Sequence, residues 1–541
     1  MNGTESFWGW GVSEKFPERK TRRELAERLE TELGFPDLTV QEPPSLSECR
    51  VPEPSVSLPE DVPCTTERDV RIHHTYGKSY PDLVRGFRGQ FGPAPDAVAQ
   101  PTDETDIQRL LEWASEETVA VIPFGGGTSV VGGVEPDLEG RAGLDGTTSR
   151  STGAYNGVVS LSLDGLDSIH EVDERSRRAR VGAGIYGPAL NEGLEAYGLQ
   201  LRHYPQSYEF STVGGWIATR AGGHFATRYT HIDDFVESVR AVTPAGILET
   251  RDVPASGAGP DPNRFLLGSE GAFGVITEAW LRLQPRPVHR ARASVEFDSF
   301  WDGVEATREI VQSRLTPANC RLLDPTEVLL NEIPAPGKSV LVLGFESLAQ
   351  PVESDLETAL AICDSHGGTI QDETESADAG DSWRNSFFDG PYLFNQLVSM
   401  GVLVDTFETA VTWDRFEELH TTLTRAVQNA MADACGMGVM SCRFTHVYPD
   451  GPAPYYTFLA LAEEGRELEQ WRQIKSAAAD VLIAHGATIT HHHAVGRVHR
   501  DWYEQEQSET YLAALQSMKR TLDPAGIMNP GALLHNREIR R

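Results

Sequence analysis

Residues 119–133 constrain the fold more than any other stretch of the chain. Val119 to Phe124 is an unbroken apolar run, short enough for a buried strand, and Gly125, Gly126 and Gly127 end it at once. Glycine turns tightly, adopts positive φ and lets backbone approach a partner without a Cβ in the way. Successive N–H groups in such a loop form a concave anion site, and Thr128 and Ser129 add hydroxyl donors. An isolated glycine triplet is most often a plain turn. Here two more glycine-rich blocks follow. Gln206-Ser207-Tyr208-Glu209-Phe210-Ser211-Thr212 leads through Val213 into Gly214-Gly215, which reads as a helix N-terminus. Gly268 to Glu278 runs from Gly-Ser-Glu-Gly into a strand, Val275 to Leu283, closed by Pro285 and Pro287. Three such blocks between residues 119 and 278 favour one extended ligand carrying a diphosphate.

Two familiar nucleotide signatures do not account for them. Gly182-Ala183-Gly184-Ile185-Tyr186-Gly187 fits G-x-G-x-x-G between a strand and a helix. A dinucleotide fold of that kind needs an acidic residue about 20 positions on, where Arg202 stands. Gly77-Lys78-Ser79 has Ile72 where a phosphate-binding P-loop needs its first glycine.

The chain has 541 residues, enough for two to four domains. It carries 47 basic against 80 acidic residues, a net charge of −33, and only six of the basic residues are Lys. Nucleic acid is therefore excluded as a partner, because phosphate contacts need a basic face. An acidic, Lys-poor surface fits a protein kept soluble in concentrated salt, where self-repulsion is screened. Six cysteines with no C-x-x-C pair indicate a reducing cytoplasm. No apolar run reaches the roughly 18 residues of a membrane span. Arg22-Arg23 is followed by the charged Glu24 to Glu32, so it does not read as an export signal, and the ending Glu538-Ile539-Arg540-Arg541 is no peroxisomal address.

Along the chain, residues 1–90 read as an N-terminal helical and extended arm, with Trp8 and Trp10, a charged helix from Arg19 to Leu33, and a Pro-rich connector at 43–64 expected to be extended and not packed. Asp103 caps a helix whose apolar stripe is Ile107, Leu110, Leu111 and Trp113. Glu139 to Gly157 reads as a surface loop, and Val158 to Leu163 and Ala179 to Val181 as strands.

Pro-Phe-Gly-Gly-Gly-Thr-Ser (123–129), Ser-Tyr-Glu-Phe-Ser-Thr-Val-Gly-Gly-Trp (207–216), Thr-Arg-Ala-Gly-Gly (219–223) and Ser-Glu-Gly-Ala-Phe-Gly-Val-Ile-Thr-Glu (269–278) resemble, in order and spacing, the FAD-binding domain of the vanillyl-alcohol-oxidase type. Trp8-Gly9-Trp10-Gly11, Arg321-Leu322-Leu323-Asp324, Phe407-Glu408-Thr409, Trp413-Asp414-Arg415, Cys442-Arg443, His491-His492-His493 and the tail Leu522 to Pro530 resemble the alkyldihydroxyacetonephosphate synthase family within it. The resemblance implies an α+β protein. Its FAD-binding domain of the PCMH type, two α+β subdomains, spans 91–287; an α+β cap with an antiparallel sheet over the flavin spans 288–515; residues 516–541 return to the FAD domain. It implies non-covalent FAD held by Pro123, Phe124, Gly125, Gly126, Gly127, Thr128 and Ser129, by Gln206, Ser207, Tyr208, Glu209, Phe210, Ser211, Thr212, Gly214 and Gly215, by Thr219, Arg220, Ala221 and Gly222, and by Glu270, Gly271, Ala272, Phe273, Gly274, Val275 and Ile276. It also implies exchange of the acyl group of acyl-dihydroxyacetone phosphate for a fatty alcohol through a flavin N5 adduct, and hence a small-molecule or lipid-like substrate in an ether-lipid route. Peripheral membrane contact and a homodimer stay open.

Candidate catalytic residues follow. His491, His492 and His493 come after the β-rich run Ala487 to Thr490; a continued strand points 491 and 493 one way and 492 the other. Imidazoles titrate near neutrality and suit proton transfer. With no C-x-x-C or H-x-x-x-H spacing, no metal is expected. Tyr455 matches the family's catalytic Tyr, and Tyr456, on the opposite face, is the packing residue. Arg321 and Arg443 are candidate substrate-binding cations, Arg443 equally a structural ion pair. One position departs: where the family has an active-site Arg in a Tyr-x-Arg-Asp setting, this chain reads Tyr392-Leu393-Phe394-Asn395. Phe394 cannot bind an anion. The function therefore stands between three readings: the synthase reaction, an FAD-linked oxidase or dehydrogenase of an alcohol or 2-hydroxy acid, and a flavin-binding protein without chemistry.

Overall fold

The computed structural model describes residues 3–36, 38–136, 138, 155–225, 231–371 and 390–535. The expected surface loop at 139–157 lies almost wholly outside them. The apolar run forms strand Val119–Phe124, paired in parallel with Gly157–Ser162, which pairs in parallel with Ala97–Ala99. Helix Glu104–Glu117 covers this sheet. Asp103 starts it by accepting from the N–H groups of Thr105 and Asp106, and Ile107, Leu110, Leu111 and Ala114 form its buried stripe.

A second layer is a five-stranded antiparallel sheet running Ile169–Asp173, Arg178–Gly182, Val275–Arg282, Val236–Thr243, Gly246–Glu249. Helices Gly187–Leu194 and Val213–Thr219 pack with it into a core around Trp216 and Leu281. The chain's end returns here: Met528 bridges in parallel to Val121, and Ile527 and Met528 enter the core of the first sheet.

The third layer is a seven-stranded antiparallel sheet. Its inner strands are Asn319–Leu323, Gly438–Val447 and Pro452–Leu461, and Val402–Glu408 flanks the last of these. Register fixes the site. Glu408 and Arg443 both lie directly opposite Tyr455, so the three side chains share one face. Their neighbours Phe407, Tyr456 and Cys442 share the other face. Tyr456 is fully buried there, hydrogen-bonded to His420 of helix Trp413–Cys435, and is the packing tyrosine.

The N-terminal segment differs from its sequence reading. Helix Arg19–Leu33 forms as expected, ending at Gly34 with φ of 74°. Trp8 and Trp10, however, are buried in the core beneath the seven-stranded sheet. Asn395 clamps the Trp10 backbone, accepting from its N–H at 2.8 Å and donating to its carbonyl at 3.0 Å. The Pro-rich connector is extended but packed: Val62 joins the core of the first sheet, Ser55 donates twice to buried Asp96, and Cys64–Thr65 pairs with Ala97–Ala99. Proline removes N–H donors from this stretch, and its apolar side chains still bury.

Candidate active site

A cavity of about 1690 Å³, its open mouth included, lies between the two glycine-rich layers and the seven-stranded sheet. One wall is glycine and hydroxyl: Gly125 to Ser129, Ser207, Ser211, Thr212, Gly214, Gly215 and Thr219. Thr212 caps the helix that starts there, accepting from the Gly215 N–H at 3.4 Å. The structure corrects the reason for two of the glycines. A Cβ on Gly125 would strike the Thr212 hydroxyl, and one on Gly126 the Phe210 carbonyl. They allow loop to pack on loop, whereas Gly127 alone of the three has positive φ, 61°.

The opposite wall is charged and aromatic: Arg321, Phe394, Asp405, Thr406, Arg443, Thr445, His446, Tyr455, His492 and His493. The Tyr455 hydroxyl donates to Thr406 Oγ1 at 3.0 Å, and the Arg443 guanidinium sits 3.9 Å from the Tyr455 ring centre. Burial raises the Tyr455 pKa, with Arg443 opposing, so the phenol keeps its proton at neutral pH. Arg443 also bonds Glu327 at 2.5 Å, so it is both an ion pair and a cavity residue. Arg321, 1 % exposed, donates to Asn319 and to the His224 carbonyl; burial, with Arg443 adding to it, pulls its pKa down to about 9.

Glu408 organises the histidines. Its carboxylate, 2 % exposed, accepts the backbone N–H groups of His491, His492 and His493 at 2.5, 3.1 and 2.9 Å and the Thr490 hydroxyl at 2.6 Å. Three consecutive N–H groups converging on one carboxylate cannot belong to a strand, and residues 487–493 are a bent loop. The expected strand alternation therefore fails. Burial opposes ionisation of Glu408, but the surrounding histidines and Thr490 hold its pKa well below the ordinary carboxylate range. Burial drives the imidazoles the other way, His492 down to about 3 and His493 to about 4, with Glu408 only partly offsetting it. The site thus holds neutral imidazoles beside an anionic carboxylate. Glu270 ties this loop to the glycine-rich wall, accepting the N–H groups of Val495 and Gly496 at 2.9 and 2.7 Å; burial raises its pKa to about 7.

The family model of the FAD binding domain matches residues 95–145 and 141–251, and that of the FAD linked oxidases, C-terminal domain, matches 286–533. The chain is 29% identical to the alkyldihydroxyacetonephosphate synthase of Dictyostelium discoideum over 490 residues, 86% of this chain and 77% of that one. It is 31% identical to the alkyldihydroxyacetonephosphate synthase of Caenorhabditis elegans over 509 residues, 87% of this chain and 81% of that one. The chain belongs to the alkyldihydroxyacetonephosphate synthase family. A solved alkyldihydroxyacetonephosphate synthase structure superposes with a TM-score of 0.79 at 25% identity, covering 97% of this chain and 98% of that one. The protein is an FAD-dependent enzyme of α+β fold. Its donor set fits FAD: a glycine-and-hydroxyl wall for a diphosphate, and a face of Tyr, His and Arg for a redox-active ring system.

Within this synthase-family frame, the residues expected at the cofactor divide. Pro123, Gly125 to Ser129, Gln206, Ser207, Ser211, Thr212, Gly214, Gly215, Thr219, Ala221, Gly222, Glu270, Gly271, Gly274 and Ile276 line the cavity. Phe124, Tyr208, Glu209, Phe210, Arg220, Ala272, Phe273 and Val275 do not. Phe124 packs on His74, Tyr208 stacks on Trp216, Phe210 packs against Trp10, and Phe273 and Val275 are core. Glu209 pairs with Lys15 and Arg220 with Asp233. His492, His493, Tyr455, Arg321, Arg443 and Phe394 all reach the cavity; His491 stands behind, bonded to Tyr448 at 2.8 Å. Sequence reasoning gave no site role to His446, Thr406, Asp405, Lys78 or Trp10. A period-2 reading of strand Gly438–Val447 could have flagged His446 only if its bulge after Phe444 had been known.

Proposed function

We propose that this enzyme exchanges the acyl group of acyl-dihydroxyacetone phosphate for a fatty alcohol, releasing a fatty acid and leaving an ether. The observation that carries the reading is that Arg321 and Arg443 both line the cavity beside Tyr455, which gives a phosphate two guanidiniums although Phe394 stands where the family has an Arg. Bound in its reduced form, FAD would supply a nucleophilic ring nitrogen, and because the exchange leaves the flavin's redox state unchanged it consumes no external electron acceptor. The neutral imidazoles of His492 and His493 accept a proton from the incoming alcohol, with Glu408 stabilising the imidazolium formed. The Tyr455 hydroxyl holds a proton at the reacting carbon's oxygen. Trp10, Pro391 and Phe394 offer an apolar wall to the chain and exclude water. FAD is held non-covalently, so acid precipitation is expected to release it into the supernatant.

The test is a product balance: acyl-dihydroxyacetone phosphate and fatty alcohol, no acceptor, with fatty acid and ether lipid quantified. Equal amounts of both support the exchange. Fatty-acid release without ether makes the protein a hydrolase and contradicts it. The second reading, oxidation of an alcohol or 2-hydroxy acid, is favoured by Phe394 itself: it removes a cation from the cavity and leaves neutral imidazoles that can act as base.

A further inference from the structure

Lys78 stands apart from the chain's other lysines. Lys15, Lys20, Lys338, Lys475 and Lys519 each pair with a carboxylate, that of Glu209, Glu24, Asp298, Asp405 and Asp523 respectively. Lys78 is half-buried and lines the cavity, and among the described residues no carboxylate pairs with its ammonium and no acceptor bonds it. Burial lowers its pKa, with Glu5 and Asp82 opposing. Asp82 is itself engaged, accepting from the Ser79 N–H at 3.2 Å and from Arg85 at 3.1 Å. In a chain with 80 acidic residues, an ammonium held in a cavity apart from all of their described carboxylates is placed for an anion that comes from a ligand.

Its position is fixed against the glycine-rich loop. The Lys78 N–H donates to the Ser129 carbonyl at 2.6 Å, and residue 77 is glycine because a Cβ there would strike the same carbonyl. Ser79 then caps helix Tyr80–Phe87, whose Gly86 lies against the Trp8 backbone, so the N-terminal segment backs the lysine from behind. The loop it abuts, Gly125 to Ser129, belongs to the wall that fits a diphosphate. That wall brings little else to balance two negative charges. Arg321 and Arg443 reach the cavity from the seven-stranded sheet, so among the described residues Lys78 is the one lysine or arginine on the glycine-rich side. Ser207, Ser211 and Thr219 spend their hydroxyl protons inside the fold, on Ser211 Oγ, the Ser207 carbonyl and the Gly215 carbonyl. Glu270, on the same wall, adds negative charge when ionised.

We infer that the Lys78 ammonium is the counter-charge of the cofactor's diphosphate, bonding its oxygens beside the glycine-rich loop. Hydrogen bonds between an ammonium and a phosphate are roughly twice as strong as neutral ones, and a half-buried ammonium is screened less by salt than a surface one. The Gly77-Lys78-Ser79 triplet, which fails as a P-loop for want of its first glycine, thus brings its lysine to a phosphate from beside a different loop. The inference concerns the cofactor's affinity and is independent of the exchange reaction.

The test measures the flavin affinity of the full chain from the fluorescence of flavin released on dilution, at about 1 M NaCl so that long-range attraction is screened. Lys78→Met is expected to weaken FAD binding by about 10- to 100-fold, and Lys78→Arg to recover most of the loss. Riboflavin, which lacks the diphosphate, is expected to bind the parent and Lys78→Met alike. Flavin-free Lys78→Met is expected to unfold at a temperature no lower than the flavin-free parent, because an uncompensated ammonium is gone; a merely structural lysine would cost stability there too. If that variant fails to fold, Lys78→Gln decides on the same measurements. Unchanged FAD affinity, or an equal loss for FAD and riboflavin, would overturn the assignment. So would a raised KM for acyl-dihydroxyacetone phosphate at unchanged FAD affinity, which gives the ammonium to the substrate's phosphate instead.

Discussion

Glu408 is the residue on which the candidate site most depends. It gives one carboxylate to three consecutive backbone N–H groups and a hydroxyl while almost fully buried. Glu408→Ala strands those donors away from water. The expected cost is about 3 kcal/mol or more, read as a shift in denaturant midpoint. Glu408→Gln keeps one acceptor oxygen and is expected to recover part of the loss; equal stability of the Ala variant and the parent contradicts this role. At the opposite wall, Arg321→Met removes a buried guanidinium facing the cavity. It is expected to raise KM for a phosphorylated substrate by roughly 10- to 100-fold, with a smaller effect on kcat, as loss of a charged hydrogen bond of ~1.5–3 kcal/mol implies. An unchanged KM removes Arg321 from the phosphate.

At the scale of elements, the clamp on the N-terminal segment is testable. Asn395→Ala deletes both hydrogen bonds to the Trp10 backbone, and a loss of about 1–3 kcal/mol is expected, with faster proteolysis of the first sixty residues. The buried imidazoles set an acid limit on the same packing. Burial lowers His203 from 6.5 to about 3, and His420 and His499 to about 4. The unfolded chain takes up protons below 6.5 that the folded chain refuses. Stability from these groups is therefore complete above pH 6.5 and lost as pH falls toward 4. Denaturant midpoints measured across that window are expected to rise with pH, and a flat profile contradicts the neutral burial of these rings. What was legible in the sequence was local. Glycine blocks, the Val119–Phe124 strand, the Asp103 cap and the alternation of Tyr455 and Tyr456 are decided within a few residues. The convergence of Glu408, His446 and the triplet depends on strand register and on pairing across some 80 residues, which no short window holds. The triplet's loop was misread as strand because its N–H groups are satisfied by a distant carboxylate instead of a neighbouring strand.

At the scale of the molecule, two glycine-rich layers and a seven-stranded sheet face one another across the cavity, and the N- and C-terminal segments lock them together. None of the helices among the described residues is long and apolar enough to cross a membrane. A net charge of −33 repels itself over a Debye length of about 10 Å at 0.1 M salt and about 3 Å at 1 M. The unfolding temperature is thus expected to rise with NaCl, and a fall would contradict an electrostatic origin for the acidic surface. The exchange reading is tested most directly by anaerobic flavin absorbance, with the reduced enzyme and acyl-dihydroxyacetone phosphate in one cuvette and the oxidised enzyme with a panel of alcohols and 2-hydroxy acids in another. The account predicts fatty-acid release and turnover by fatty alcohol in the first, with no electron acceptor, and an unchanged oxidised spectrum in the second. Bleaching by a hydroxy acid or alcohol, reversed by oxygen or a dye, would contradict it and establish a redox enzyme on the same scaffold.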